Sequence, residues 1–233
     1  REAQPVEQAF ARQAQYRDFG RLMADAATLF FISLFGIVVK QHEAVFETAE
    51  LAFSCAAFFG CCWALTRPYW GSALAGFACG ASILCSNLLV GATVLVGCLM
   101  SHILVRGIGD TARKIFTTVA VAFITFGLWP LVAYLLAGVV AGDYFNLWAQ
   151  RQIQIVGFFD PQEILWFVKH FIWYLCPAWP FAFWAIWMWR KNLTITHIAL
   201  PLSFCCAWLI GFILSSDVAA ETLLSVTIAP LCV

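Results

Sequence analysis

Ile115-Phe-Thr-Thr-Val-Ala-Val-Ala-Phe-Ile-Thr-Phe-Gly-Leu-Trp-Pro130-Leu-Val-Ala-Tyr-Leu-Leu-Ala-Gly138-Val139 runs without a single charged residue. A run of this kind exceeds the roughly 20 apolar residues that a helix needs to cross the hydrocarbon core of a bilayer. In lipid, every backbone polar group must be satisfied inside the segment, which selects a helix. The alternation of a membrane β-strand is absent from it.

The rest of the chain is equally oily. Of 233 residues, 63% are hydrophobic and 11% charged, with 22 Phe and 11 Trp, and the mean hydropathy is +0.85. That is far from the usage of soluble domains. Working outward, apolar spans are expected near 22–39, 45–65, 71–86, 88–105, 115–139, 163–189 and 195–214, with an eighth beginning near 222. The fold class that follows is all-α: a polytopic transmembrane helical bundle of about seven to eight spans. The arms of the hairpin at Ser86-Asn87 are short enough to be either spans or a re-entrant pair.

Basic residues prefer the cytoplasmic side. With residues 1–21 as a cytoplasmic lead-in, ten of the 13 Lys and Arg fall inside, and Lys40, Arg151 and Lys169 fall outside. The same arrangement gathers Glu43, Glu47, Glu50, Asp143, Asp160, Glu163, Asp217 and Glu221 at or near the outer face. Zero net charge therefore hides a polarised molecule, and nothing in it points to a nucleic-acid partner. The chain opens at Arg1 and stops at Val233 within an apolar run, so it reads as a single transmembrane fragment of a longer protein.

Between the first two spans lies a polar island, Lys40-Gln-His42-Glu43-Ala-Val-Phe-Glu47-Thr-Ala-Glu50. Glu43 and Glu47 are four apart, which puts both on one face of a helix continuing through them. The stretch 140–162 reads as a periplasmic interfacial segment, with a helix behind an Asp143 N-cap. Beyond it, Lys169 and His170 sit near the outer end of a Trp-rich span, a depth at which ionisable groups are expensive. Pro177 and Pro180 should kink that span.

Two other patterns have structural readings. Gly76-Phe-Ala-Cys-Gly80, extended by Gly71, Ala73, Ala75, Ala78 and Ala81, permits close helix approach inside the molecule. The ten cysteines fall within or at the ends of apolar spans and read as small hydrophobes. His42-Glu43 opens like a zinc-protease motif, but Phe46 stands where the second ligand would be.

In order, His42-Glu43-Ala-Val-Phe-Glu47, Arg67-Pro68, the glycine-rich arm through Gly80, Trp129-Pro130, Tyr144-Phe145 to Trp148 and Trp173-Tyr-Leu-Cys-Pro177-Ala-Trp-Pro180-Phe-Ala-Phe-Trp184 form a recognisable series. The series resembles the central membrane region of bacterial lipid-linked sugar transferases of the protein-mannosyltransferase and aminoarabinose-transferase type, within the GT-C superfamily. Members share an H-E-x-x-x-D pattern, and His42, Glu43 and Glu47 occupy its positions, with Glu for the usual Asp. Where the family tends to have Ser/Thr-Lys-Gly, this chain reads Cys85-Ser86-Asn87.

The resemblance implies a glycosyltransferase of the bacterial inner membrane with a periplasmic site. It implies a polyprenyl-phosphate sugar as donor and a lipid A, glycan or protein acceptor, with no certain cofactor and the need for a divalent metal open. Glu43 and Glu47 are the candidate catalytic carboxylates, since an acceptor hydroxyl must lose a proton. Lys40, His42, Arg151, Lys169 and His170 are the candidate partners for phosphate and sugar hydroxyls. The family's main catalytic Asp would lie upstream of Arg1. Two alternatives stand beside this reading: a secondary transporter coupled through buried acidic residues, and a non-catalytic or degenerate membrane scaffold, which the missing lysine favours.

Overall fold

The computed structural model describes residues 4–34, 37–38, 46–105, 109–155, 163–191, 193, 195–215 and 217–232. Among them there is no strand, and ten helices follow one another: α1 (Gln4–Ser33), α2 (Phe46–Trp63), α3 (Pro68–Cys85), α4 (Leu88–Leu104), α5 (Thr111–Ala137), α6 (Val139–Ile155), α7 (Glu163–Tyr174), α8 (Ala178–Trp189), α9 (Thr196–Ile213) and α10 (Asp217–Cys232). The all-helical class expected from the sequence is the class observed.

Local chemistry sets the boundaries. α3 begins on Pro68, where a missing N–H costs nothing. Asn87 caps α4 by accepting from the Val90 amide at 2.8 Å, and Asp110 caps α5 by accepting from the Ala112 amide at 3.0 Å. α5 runs through Pro130 and stops at Gly138, whose φ of 53° lies in the region that favours glycine. The Trp-rich run divides at Leu175-Cys176-Pro177, so the expected proline break is present and yields two helices of 12 residues each. Each rises about 18 Å, well short of the hydrocarbon thickness.

Packing centres on α3, which lies against α2 on one side and α5 on the other. α4 packs on α9, and α10 closes the bundle against α9 and α2. The small-residue face explains the first of these contacts. A Cβ on Gly71 would meet Ala64 Cα at 2.6 Å and the Gly60 carbonyl oxygen at 2.7 Å, so α2 and α3 touch backbone to backbone. On the opposite side, Gly76 abuts Thr118 and Val121, while a Cβ on Gly80 would meet the Ala122 carbonyl oxygen at 2.7 Å. The motif is thus an intramolecular packing face serving two neighbours. Deeper in the bundle, the Phe204 ring lies against Gly97 and stands edge-on to Phe58, with centroids 5.3 Å apart.

α6 departs from its expected start. It begins at Val139, four residues before Asp143, which is an exposed residue within the helix. Ala141, Phe145, Trp148 and Gln152 form its more buried face, and the pairs Trp129–Phe145 (5.7 Å) and Phe126–Trp148 (5.9 Å) fold it back along α5. This aromatic packing, rather than an Asp cap, positions the helix.

Two of the described helices are long and apolar enough to cross a membrane: α5, of whose most apolar window only 6% is buried inside the bundle, and α9, at 44%. α4 is apolar but shorter. Glu47 and Glu50 dilute α2, and the break at Pro177 shortens α7 and α8. Large apolar side chains, Phe116, Phe123, Leu135, Leu136, Trp184 and Trp187 among them, face outward. Contiguous exposed apolar surface of this kind marks a membrane or protein partner.

Candidate functional site

Lys40, His42 and Glu43 lie outside the described residues. The island is described from Phe46 onward, where α2 has begun, and its burial is uneven. Glu47 in the first turn is half-buried, whereas Glu50, one turn deeper, is fully buried at 0% exposure. A spacing of three places both carboxyls on one face. Ser54, a further turn along that face, is also buried, and its hydroxyl has no hydrogen-bond partner among the described residues. The inward face of α2 therefore opens with a polar column in an otherwise apolar bundle.

This column meets the turn between α3 and α4. Cys85 at the end of α3 lies within electrostatic reach of the Glu50 carboxylate. Beyond it, Asn87 is 7% exposed and employs both ends of its amide: Oδ1 accepts from the Val90 amide, and Nδ2 donates to Ser86 Oγ at 3.2 Å. A third element completes the junction. Gln152 of α6, 9% exposed, accepts from the Leu88 amide at 2.8 Å through Oε1. Two amide side chains, one local and one 64 residues away, thus satisfy the first N–H groups of α4.

Of the other expected site residues that are described, Arg151 and Lys169 make no ion pair among the described residues. Arg151 is exposed although it adjoins Gln152, and Lys169 of α7 is exposed. His170 is half-buried, and the next residue, Phe171, stacks on Trp208 of α9 with centroids 5.5 Å apart. Glu47 likewise has no ion-pair partner among the described residues. The arrangement offers a buried carboxylate with a second carboxylate one turn nearer the helix end, beside polar groups that are already hydrogen-bonded. Such a carboxylate can accept a proton where water is scarce.

Sequence reasoning placed Glu50 in the island but did not select it, and it missed Asn87 and Gln152. An amide flanked by two apolar helices is a signal in itself, because a buried amide demands partners. A second polar group at the opposite end of α3 and α5 was also missed. There His102 Nε2 lies 3.1 Å from Thr118 Oγ1, which donates to the Ser72 carbonyl oxygen at 3.3 Å, and Lys114 beside them is 3% exposed.

Among the described residues no group of three His, Cys, Asp or Glu is placed to hold a metal ion. Comparison with protein-family models, curated proteins and solved structures finds no match to this chain.

Proposed function

We propose that the chain is the central part of a multi-pass glycosyltransferase of the bacterial inner membrane, with seven to eight spans and its active side periplasmic. It would move a sugar from a polyprenyl-phosphate donor to a lipid, glycan or protein acceptor. The observation that supports this reading best is the carboxylate pair at the head of α2, with Glu50 fully buried and Glu47 half-buried above it. Deprotonating an acceptor hydroxyl calls for a carboxylate held away from bulk water, and the H-E-x-x-x-E pattern ends on Glu47. In this reading Glu43 and Glu47 remain the candidate bases, Glu50 joins them as a supporting carboxylate, and Lys40, His42, Arg151, Lys169 and His170 serve phosphate and sugar hydroxyls. The polyprenyl-phosphate donor arrives through the lipid.

The test is transfer in membranes that contain the full-length parent and a lipid-linked sugar. Glu47→Gln should abolish turnover at normal expression, and Glu50→Gln should reduce it. Unchanged turnover in both variants would remove the pair from the chemistry.

A second reading, proton-coupled secondary transport, draws on ionisable residues buried at opposite ends of one helix group, Glu50 on α2 and Lys114 on α5. It predicts substrate-dependent proton flux in proteoliposomes. A transferase would give none.

A further inference from the structure

The ends of α3 and α5 that lie opposite the Glu50 junction bring together an unusual excess of positive charge. Both helices begin here, so both direct the positive ends of their dipoles to this place. α3 starts behind Arg67, which makes no side-chain cap, and the early amides of that helix lack one. The first turn of α5 carries Arg113 and Lys114, cations at the helix end that favours anions.

Asp110 is occupied elsewhere. One of its oxygens caps Ala112 at 3.0 Å and the other lies 3.9 Å from Arg113 Nε. Arg113 also reaches Tyr69 OH at 3.4 Å. Lys114 differs from its neighbours: it is 3% exposed, and among the described residues no acid or hydrogen-bond acceptor partners its ammonium.

Its position is built by the fold. The Gly76 and Gly80 contacts draw α5 against α3, and the face carrying Thr118 and Ala122 continues one turn back to Lys114. Gly109, at a φ of 96°, roofs the side chain: a Cβ there would lie 3.0 Å from Pro68 and 3.7 Å from Lys114 Cε. The Lys114 stem thereby lies close to Pro68 at the start of α3, and its charge is within electrostatic reach of His102. Ser72, one turn into α3, adds a buried hydroxyl with no hydrogen-bond partner among the described residues. The stem of Lys114 is enclosed, its ammonium keeps a narrow opening to solvent with no counter-charge among the described residues, and the Ser72 hydroxyl is orphaned. An anion at the helix starts would supply the missing counter-charge.

We propose that this end of the bundle is a binding site for a phosphate-bearing anion, with Lys114, its stem enclosed between α3 and α5, as the counter-charge, the uncapped amides of α3 as donors, and Arg67 and Arg113 at its rim. Helix starts suit the oxygens of phosphate. The phosphate can arrive on an anionic lipid headgroup or free in solution. Exposed Tyr69 and Trp70, beside the rim, are the amphipathic rings found at headgroup level.

The experiment places the purified chain in phosphatidylcholine nanodiscs and supplies two probes, phosphatidylglycerol in the disc and inorganic phosphate in the buffer. Retention of the lipid is read by native mass spectrometry, and phosphate by the shift in Tm. Binding of either probe supports the site and identifies its source. Lys114→Met should weaken that binding on the order of tenfold, the usual effect of losing a charge-assisted contact, and Lys114→Arg should restore part of it. Equal binding by wild type and Lys114→Met in both arms overturns the proposal. Should Lys114→Met fail to elute as a folded monodisperse species, the exposed pair Arg67→Gln with Arg113→Gln is read instead. Unchanged affinity in that pair overturns the proposal too.

Discussion

Replacing Gly76 by alanine tests the helix contact on which both polar groups depend. A Cβ at Gly76 would fall on the Thr118 carbonyl oxygen and lie 3.0 Å from Val121 Cβ. The obstacle is backbone, so it cannot rotate aside; α5 must move. Overpacking of this kind costs about 1–3 kcal/mol. Moving α5 also strains the contacts of Thr118 with His102 (3.1 Å) and Ser72 (3.3 Å), each worth about 0.5–1.5 kcal/mol. Against these stands a gain of about 1 kcal/mol from replacing glycine in a helix. The net expectation is a destabilisation of about 1–3 kcal/mol. Gly127 supplies the control, because it lies in α5 with nothing within 4 Å of its Cβ position. There the same substitution should stabilise by about 0.5–1 kcal/mol. Thermal or denaturant unfolding in one detergent, followed by tryptophan fluorescence, ranks the two. If Gly76→Ala proves as stable as Gly127→Ala, the backbone contact between α3 and α5 is wrong, and the roof over Lys114 fails with it.

Other outcomes can be checked alongside. Asn87→Ala should cost about 0.5–2 kcal/mol as a lost N-cap, and Asn87→Asp should recover most of it; unfolding midpoints decide this. Gln152→Leu leaves the Leu88 amide without its acceptor and should speed hydrogen exchange at the start of α4 while leaving the middle of α9 unchanged. Protection unaltered at Leu88 would count against the link from α6. Thr118→Val removes the hydroxyl between His102 and Ser72 at nearly constant volume and should destabilise by about 1–3 kcal/mol through the unsatisfied groups left behind, read from the same unfolding curves. In the transferase assay, Glu47→Gln should cost more turnover than Glu50→Gln, and the reverse order would move the base one turn deeper.

Some of this was legible in one dimension. Uninterrupted apolar runs demand helices because backbone groups have no other partners in oil, and the described residues are helical throughout their regular structure. The spacing of Gly76 and Gly80 announced a close contact, and Pro177 announced a break, since glycine and proline act through their own backbones. Burial is different in kind. Nothing in the sequence around Glu47 and Glu50 says which is fully enclosed, because the helices packed on α2, namely α3, α4 and α10, arrive from further along the chain. Arg151 and Gln152 make the same point: adjacent in sequence, one is exposed and the other caps a distant helix. Lys114 reads in sequence as one of a basic pair at a helix start. Only the packing of α5 on α3, with Gly109 folded over Pro68, encloses its side chain and sets it apart from exposed Arg113 beside it. Composition and periodicity decide what must be helical; the neighbours that tertiary contact supplies decide which polar groups become chemistry.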